Sequence, residues 1–369
     1  MNQDRRNLLL ALSALAGGTV LRPLLPSTFA QAAPVDAIGP KLKRDEIDDQ
    51  IDKGIVYLRS KQHQNGWIGD NENYRSALTG LSVLAMLAVG HQPSDKSPEG
   101  ESIRRAITFL LRPENQSDEG YFGRVDGSNM YGHGIVTLLL AELAGMGIDE
   151  AHDKLVLQRL HKAIDLTLRS QAVKKDQQYQ GGWRYQPESR GSDLSISVWQ
   201  VMALRSAKNA GIEVPAGAID SAVAYLRGSY RSDRNGRGRF LELQAGFTYT
   251  PGGRPTFSSA SAGMLAMQVC GQYDAEEVKG TGEWLMAMHN KLSVNEQYFY
   301  YGTYYYAQAM YQHGGKFAEH GRREVARILA PQQQKDGSWP RSEAGPVYTT
   351  GLAVLSLSVK YHYLPIYQR

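Results

Sequence analysis

The stretch Gln333-Gln-Lys-Asp-Gly337-Ser-Trp339 decides the fold, because the chain repeats it in degenerate form. Each copy places a glycine four residues after a glutamine, with an aromatic ring one or two residues later. A unit that recurs at intervals of tens of residues predicts a repeat architecture before any single residue is considered. The other copies are Gln62-His-Gln-Asn-Gly66-Trp67, Gln116-Ser-Asp-Glu-Gly120-Tyr121 and Gln178-Tyr-Gln-Gly-Gly182-Trp183.

Each copy lies between two helical segments of different character. The upstream segment is amphipathic, as in 46–61, where Ile51, Ile55 and Leu58 recur near helical spacing. The downstream segment, such as 74–89, is apolar on nearly all sides and is expected to be buried. A glycine ends each of the first five downstream segments, and the pattern predicts six helix pairs. These glycines are Gly90, Gly145, Gly211, Gly271 and Gly314.

Helix pairs of this kind must stack on their neighbours, because one pair cannot bury its apolar face alone. Six pairs can close into a barrel with the apolar helices inside, whereas an open solenoid is the competing geometry. Small residues on the apolar helices favour closure, because inner helices crowd near a barrel axis. We therefore predict an all-α fold, an α/α toroid of six helical hairpins. The small residues are Ala77, Gly80, Ser82, Ala260, Ser261, Gly263, Gly351 and Ala353.

The first 32 residues have the pattern of a twin-arginine-like export signal. The pair Arg5-Arg6 precedes an apolar run, and Ala30-Gln-Ala32 supplies a small-x-small cleavage site. We predict a signal over 1–32, a linker over 33–44 and the toroid over 45–369, in a periplasmic or other extracytoplasmic location. No later segment has the roughly 18 uninterrupted apolar residues of a spanning helix, so no stable transmembrane span is expected in the mature chain. Cleavage of the signal and its retention as an anchor both stay open.

Charge and cysteine content exclude some functions. The net charge is +4, and removing residues 1–32 takes away three arginines and one aspartate, which leaves +2. No basic run is long enough to predict nucleic-acid binding. The single cysteine, Cys270, cannot form an intrachain disulfide.

The Gln-x-x-Asp-Gly-Ser-Trp pattern resembles the repeat of squalene cyclases and protein prenyltransferase β subunits, the prenyltransferase/squalene oxidase repeat. The resemblance covers about residues 45–363 and implies an α/α toroid. It also implies structural roles for the repeat residues: the glutamine bonds to a helix end and the tryptophan stacks against it. The residues concerned are Gln62, Trp67, Gln178, Trp183, Gln333 and Trp339.

The chain departs from the catalytic sets that the resemblance implies. Squalene-hopene-type cyclases carry Asp-x-Asp-Asp at an inner-helix start, and the middle Asp protonates the substrate. The matching segment here places Asp193, Ser195 and Ile196 on the three acids. A serine hydroxyl is too weak an acid for an olefin, and Asp193 is predicted to cap the helix. The prenyltransferase zinc site needs Asp, Cys and His, and Cys270 lacks that setting. We expect no metal and no cofactor.

The predicted inner-helix starts carry the remaining candidate residues. If the inner helices run parallel, these starts gather at one barrel mouth. The glycine-flanked His133 is expected to be exposed there. Tyrosines that only fill the barrel are the alternative interpretation. The ligand-pocket candidates are Tyr74, His133, Asp193, Ser195, Ser258, Tyr301, Tyr304 and Tyr348.

Two classes of function remain open from the sequence. The first is a binding or scaffold protein that holds a small apolar or carbohydrate-like ligand in the mouth. The second is an enzyme, either a divergent terpenoid cyclase or a toroid-type polysaccharide lyase or hydrolase. A lyase would use Tyr301, His133 and Arg75. A hydrolase would need two facing carboxylates, and the inner-helix starts offer only Asp193.

Overall fold

The computed structural model describes residues 44–70, 72–232, 245–288, 292–340 and 344–368. The predicted signal over 1–32 and nearly all of the predicted linker over 33–44 lie outside these residues. The toroid falls within one compact unit, Glu46–Arg369. None of the described helices is both long and apolar enough to span a bilayer.

The described helices alternate between an outer and an inner set. The outer helices are α1 (Glu46–Ser60), α3 (Pro98–Leu110), α5 (Glu150–Ala172), α7 (Ala216–Gly228), α9 (Glu276–Ala287) and α11 (Gly315–Leu329). The inner helices are α2 (Arg75–Ala88), α4 (Asn129–Leu143), α6 (Leu194–Asn209), α8 (Phe257–Val269), α10 (Phe299–His313) and α12 (Pro346–Leu357). Two short antiparallel strands, β1 (Tyr230–Arg231) and β2 (Gly246–Phe247), precede α8.

The inner helices form a closed ring. Each packs on the next in chain order, from α2 to α4 and onward to α12, and α12 packs back on α2. Each outer helix packs on the inner helix of its own hairpin or of the neighbouring one. The predicted all-α toroid is thus confirmed, and the open solenoid is excluded.

The inner helices run parallel to one another. At the start of α2, the backbone N–H of Ser76 donates at 2.6 Å to Oδ2 of Asp126, which lies just before α4. Near the other ends, the Nε2 of Gln308 in α10 donates to the carbonyl oxygen of Leu355 in α12 at 3.3 Å. In both pairs the partners lie at similar distances from their helix starts. Hydrogen bonds between residues at or just before the other starts extend this to all six helices, so their amino ends lie at one face of the barrel. These pairs are Tyr131–Ser195, Tyr301–Ser195, Ser258–Tyr298 and Val347–Asp70.

The repeat glutamine ties each turn to the next outer helix. The Nε2 of Gln62 donates to the carbonyl oxygens of Gly66 and Ser102, both at 2.9 Å. The first bond closes its own turn, and the second reaches α3. The corresponding acceptors are Gly120 and Arg159 for Gln116, and Gly337 and Gln50 for Gln333. Because Gln50 belongs to α1, the last glutamine joins the final hairpin to the first and closes the ring.

In the third hairpin, the prediction that Gln178 fills this role is wrong. Gln171 donates to the carbonyl oxygens of Gly181 and Ala218, both at 2.9 Å. Gln178 is exposed. Gly181, rather than Gly182, has the left-handed φ of +91° that the turn requires. A longer loop separates this glutamine from its glycine, and the hydrogen bond depends on their distance in space rather than on sequence spacing.

The tryptophans of the repeat are buried, as predicted. Trp183 and Trp339 are fully enclosed, and Trp67 is 5% exposed. The Nε1 of Trp339 donates to the carbonyl oxygen of Leu329 at the end of α11, at 2.8 Å. Trp67 instead stacks on the ring of His63, with 3.7 Å between centroids. These rings therefore fill the gaps between hairpins.

The last turn of the described chain, Pro365–Tyr367, packs against inner helices towards the carboxyl end of the barrel. The hydroxyl of Tyr367 hydrogen-bonds with that of Tyr304. The backbone N–H of Ile366 donates to the buried carboxylate of Glu142 at 3.4 Å. This segment thus packs across the inner helices at the end opposite to their starts.

Aromatic side chains fill the barrel between its two ends. The ring of Trp199 stacks on that of Tyr304 at 5.8 Å, and Tyr304 lies 4.8 Å from Tyr305. All three are buried, α8 is buried at every position, and α10 is buried from Phe299 to Met310. Among the described inner-helix residues, partial exposure is concentrated at the helix ends, and the stretches between them are almost wholly buried.

Candidate ligand-binding mouth

One side chain near the start of each inner helix is partly accessible or lies at the edge of burial. We call these six residues the mouth ring. Because the inner helices run parallel, the ring lies at one end of the barrel, as the sequence predicts for the helix starts. The members are Arg75, Tyr131, Ser195, Ser258, Tyr301 and Tyr348.

Three of these side chains meet at the start of α6. The hydroxyl of Tyr131 donates to the Oγ of Ser195 at 2.7 Å, and that Oγ donates to Oδ1 of Asp193 at 2.7 Å. The hydroxyl of Tyr301 donates to the backbone oxygen of Ser195 at 3.0 Å. This chain of hydrogen bonds joins α4, α6 and α10, although up to 106 residues separate the partners in sequence.

Asp193 caps α6, as predicted. Its Oδ1 also accepts the backbone N–H of Ile196 at 2.9 Å. Its Oδ2 is buried and has no hydrogen-bond partner in the described structure. Burial raises the pKa of the Asp193 carboxyl, although hydrogen bonds from Ser195 and Ile196 and the charge of Arg184 oppose the shift. The carboxyl therefore keeps its proton to a higher pH than an exposed aspartate does.

The mouth tyrosines are neutral hydrogen-bonding groups. Burial raises the pKa of Tyr131 well above its ordinary value. Burial and the neighbouring Tyr131 do the same for Tyr301. Neither phenol ionises near neutral pH, so neither serves there as a ready phenolate base. Both phenol protons are already donated to Ser195, so towards a ligand these groups can accept a hydrogen bond or present a ring.

The expectation that His133 is exposed at the mouth is wrong. The ring is fully buried and faces outer helix α5. Its Nδ1 accepts the backbone N–H of Phe122 at 3.3 Å, and its Nε2 lies 3.0 Å from the hydroxyl of Thr167. Burial lowers the pKa of His133 to about 3, so the imidazole is neutral. The three residues proposed for a lyase therefore do not assemble.

His133 instead occupies a structural position of the repeat. In three other hairpins, a hydroxyl at this place on the inner helix accepts a backbone N–H from the preceding turn, at 2.9–3.0 Å. The acceptors are Thr79, Ser197 and Thr350, and the donors are Ile68, Trp183 and Trp339. The glycines beside His133 allow close helix packing, since Gly134 lies against Trp199.

The remaining candidates divide between the mouth and the core. Ser258 donates to the backbone oxygen of Tyr298 at 3.2 Å, so it lies beside the start of α10. Tyr348 is partly exposed in the mouth ring. Tyr74 is 40% exposed at the start of α2. Tyr304 is buried below the mouth and does not reach it.

Two aromatic residues beside the mouth, Tyr185 and Tyr249, were not predicted from the sequence. The rings of Tyr131 and Tyr185 lie 6.0 Å apart, and the hydroxyls of Tyr185 and Tyr249 are 2.9 Å apart. Both missed residues are in loops, where hydrophobic periodicity carries no signal. The short distance of Tyr185 from the repeat residue Trp183 was the available clue.

The thiol of Cys270 is poorly placed for chemistry. Burial raises the pKa of this thiol to about 12, so it stays protonated. Within the described part of the chain, no three His, Cys, Asp or Glu side chains group as a possible metal site.

No family model matches the sequence, and no curated protein matches it. Among solved structures, the fold is similar to the apo type II terpene cyclase MstE from Scytonema, at 14% identity and a TM-score of 0.53 over 86% of this chain and 98% of that one. A variant of MstE in complex with geranylgeranyl dihydroxybenzoate is 12% identical to this chain, with a TM-score of 0.54 over 86% of this chain and 98% of that one. A variant of Rex8A from Paenibacillus barcinonensis, complexed with an arabinofuranosyl-xylotetraose, is 12% identical to this chain. Its TM-score is 0.55 over 89% of this chain and 94% of that one.

These similarities define the class of fold. The chain has the α/α toroid fold, which it shares with MstE and with Rex8A. At such low identities the similarity extends to architecture alone, so the function has to be argued from the mouth.

Proposed function

We propose that the protein is a ligand-binding toroid whose mouth holds a small ring-bearing molecule, apolar or sugar-like. The observation that carries this proposal is the hydrogen-bond chain that runs from the partly exposed Tyr131 through Ser195 to Oδ1 of Asp193. The second carboxyl oxygen of Asp193, Oδ2, has no hydrogen-bond partner among the described residues. Tyrosine rings supply apolar contact area, and the adjoining hydroxyls and carboxyl supply directional hydrogen bonds.

The filled barrel favours binding at the mouth over chemistry in the interior. A cyclase must fold a long apolar chain inside the barrel beside a strong acid. Here Trp199, Tyr304 and Tyr305 occupy the interior below the mouth. A ligand that rests on the mouth ring needs no such cavity.

Titration calorimetry of the full chain tests the proposal with two probes, geranylgeraniol and xylotetraose. We expect saturable binding of at least one probe. Tyr301→Phe should weaken it about five- to tenfold, because it removes an oxygen that can accept a hydrogen bond from the ligand and the bond that holds the Ser195 backbone at the mouth. Tyr300→Phe is the matched control, since the adjacent Tyr300 is equally buried but takes no part in the hydrogen bonds around Ser195. Absence of binding, or equal effects of the two variants, would contradict the proposal.

The variant Asp193→Asn separates the two roles of this side chain, which are an ionisable carboxyl and the cap of α6. Asparagine caps helices as well as aspartate, so the fold should be retained. The raised pKa of Asp193 means that the wild type loses stability as pH rises above the unfolded-state value and through the folded-state value. Urea unfolding at pH 4 and pH 8 should therefore show Asp193→Asn gaining stability relative to wild type at the higher pH. Parallel pH dependences of the two proteins would show that the carboxyl is not perturbed.

A divergent terpenoid cyclase is the second candidate, because Asp193 is a buried carboxyl with a raised pKa at an inner-helix start. Such a reaction would be an isomerisation in which the carboxyl protonates an alkene and a proton is later returned. Incubation with squalene or geranylgeraniol, followed by mass spectrometry, would reveal a cyclised isomer of unchanged mass. The product should be lost in Asp193→Asn, and its absence from wild-type reactions would leave binding as the function.

We also propose that the toroid is exported. The support is the Arg5-Arg6 pair and the Ala30-Gln-Ala32 site. Cell fractionation should find the protein outside the cytoplasm, with an amino terminus close to residue 33. Replacing both arginines with lysine should retain it in the cytoplasm. Wild-type protein that starts at Met1 and stays in the cytoplasm would overturn this proposal.

A further inference from the structure

Exposed tyrosines are concentrated around the mouth. Large apolar side chains that are well exposed are uncommon among the described residues, and four of them are tyrosines that lie beside the starts of inner helices. We call these four the tyrosine rim. They are Tyr74 at 40%, Tyr185 at 37%, Tyr249 at 40% and Tyr298 at 55% exposed.

The backbone anchors each rim residue beside a different inner helix. Tyr74 and Tyr298 directly precede α2 and α10. The backbone oxygen of Tyr185 accepts the N–H of Met130 in α4 at 3.1 Å. That of Tyr249 accepts the N–H of Leu194 in α6 at 2.8 Å. The four rings therefore lie at the same end of the barrel as the mouth ring.

The rim is continuous with the mouth on one side. The paired hydroxyls of Tyr185 and Tyr249, at 2.9 Å, hold the two rings together. The Tyr185 ring lies 6.0 Å from that of Tyr131 in the mouth ring, and the guanidinium of Arg184 lies 5.7 Å from the Tyr185 ring. These contacts hold the loop rings in place before any ligand arrives, which lowers the entropy cost of binding.

Two rim tyrosines are kept at a conformational cost. Tyr74 and Tyr298 have left-handed backbone angles, with φ of 70° and 58°. Their ψ angles of 13° and 34° place both residues in the left-handed helical region. Glycine adopts this conformation freely, whereas a side chain with a β carbon is strained there. A glycine at either position would relieve this strain. Because the chain has an exposed tyrosine there instead, the ring itself is inferred to have a function.

We propose that the tyrosine rim and the mouth ring form consecutive subsites for an oligosaccharide. The inference rests on the proposed binding function and names the ligand class. A pyranose has a flat face of C–H groups that stacks on an exposed tyrosine ring, and its edge carries hydroxyls for hydrogen bonds with Ser195 and the mouth phenols. Rings on separate loops and helix starts suit successive sugar units. An isoprenoid would instead require a continuous apolar groove.

Calorimetry with trimers and hexamers of β-1,4-linked xylose, glucose and N-acetylglucosamine tests the inference. At least one hexamer should bind about tenfold more tightly than its trimer, because it reaches the rim. Tyr74→Gly and Tyr298→Gly remove a ring and relax the backbone. Each should weaken hexamer binding about fivefold, leave trimer binding unchanged, and leave the melting temperature unchanged or raised. Tyr363→Ala is the control, since Tyr363 is 45% exposed but lies against Gly90 at the opposite end.

The outcomes separate this inference from the proposed function. Equal affinities for trimer and hexamer, with trimer binding still weakened by Tyr301→Phe, would overturn the proposal of subsites on the rim. The proposal of binding at the mouth would then still hold. Binding of geranylgeraniol without any sugar would do the same. Loss of phosphatidylcholine-vesicle binding in Tyr298→Gly, without sugar binding, would assign the rim to a membrane and overturn the inference. Absence of binding to every probe would reject both the inference and the mouth.

Discussion

Replacing Trp339 with alanine is expected to lower the free energy of unfolding by about 3–5 kcal/mol. The indole is fully buried, its Nε1 donates to the carbonyl oxygen of Leu329 at 2.8 Å, and its ring packs against Gly54 of α1. The variant loses apolar contact area, leaves a cavity and leaves a buried carbonyl without its partner. Urea unfolding followed by circular dichroism measures the change.

Trp284→Ala provides the matched control. Trp284 lies on outer helix α9, is only partly buried and is not part of the repeat, so the same substitution should cost clearly less. Trp183, which is also fully buried, should behave like Trp339. If Trp339→Ala unfolds at the urea concentration of the wild type, the structural role of the repeat tryptophan is wrong.

Lowering the pH from 7 to 5 is expected to destabilise the fold by about 2 kcal/mol through His133 alone. The folded-state pKa of His133 is about 3, below the ordinary value of 6.5, because burial opposes the charged ring. Unfolding lets the imidazole take up a proton below pH 6.5, so stability falls as the pH falls towards 3. Thermal unfolding across this range measures the slope.

His133→Thr should remove this part of the acid sensitivity. Threonine occupies the equivalent place at Thr79 and Thr350, so the backbone N–H of Phe122 keeps an acceptor. A smaller side chain leaves a cavity, and the variant should be less stable than wild type at pH 7 while showing a flatter acid slope. His161→Thr is the control, because His161 is exposed on α5. An unchanged slope in His133→Thr would show that the neutral buried imidazole is not what limits acid stability.

Local sequence patterns were sufficient for much of the fold. The spacing of Ile51, Ile55 and Leu58 predicted an amphipathic outer helix, and the apolar stretch after Gly66 predicted a buried inner one. Asp193 was recognised as a helix cap, because capping is a contact between residues close in sequence. The repeat tryptophans were correctly placed in the core.

Where a candidate side chain points was decided by packing between hairpins. The glycines beside His133 led us to expect an exposed ring. In the structure, the position of His133 on α4 directs its ring towards Thr167 of α5. Gln171, rather than Gln178, makes the hydrogen bonds of the repeat glutamine in the third hairpin. This outcome likewise depends on the path of a loop, which hydrophobic periodicity does not describe. Neither outcome follows from neighbours in sequence, since the deciding contacts come from other elements.

By itself, the sequence determined a stack of helical hairpins with apolar inner helices, because a repeated turn and alternating amphipathic and apolar helices leave few other ways to bury the apolar faces. It favoured closure into a ring over an open solenoid, and the packing of α12 on α2 decided for the ring. Only the tertiary structure decided that aromatic rings fill the barrel and that the accessible chemistry is confined to its mouth. The hydrogen bond between Tyr301 and Ser195 spans 106 residues, and the rim draws its tyrosines from separate hairpins. Such groupings arise when the ring closes and brings the starts of parallel helices together.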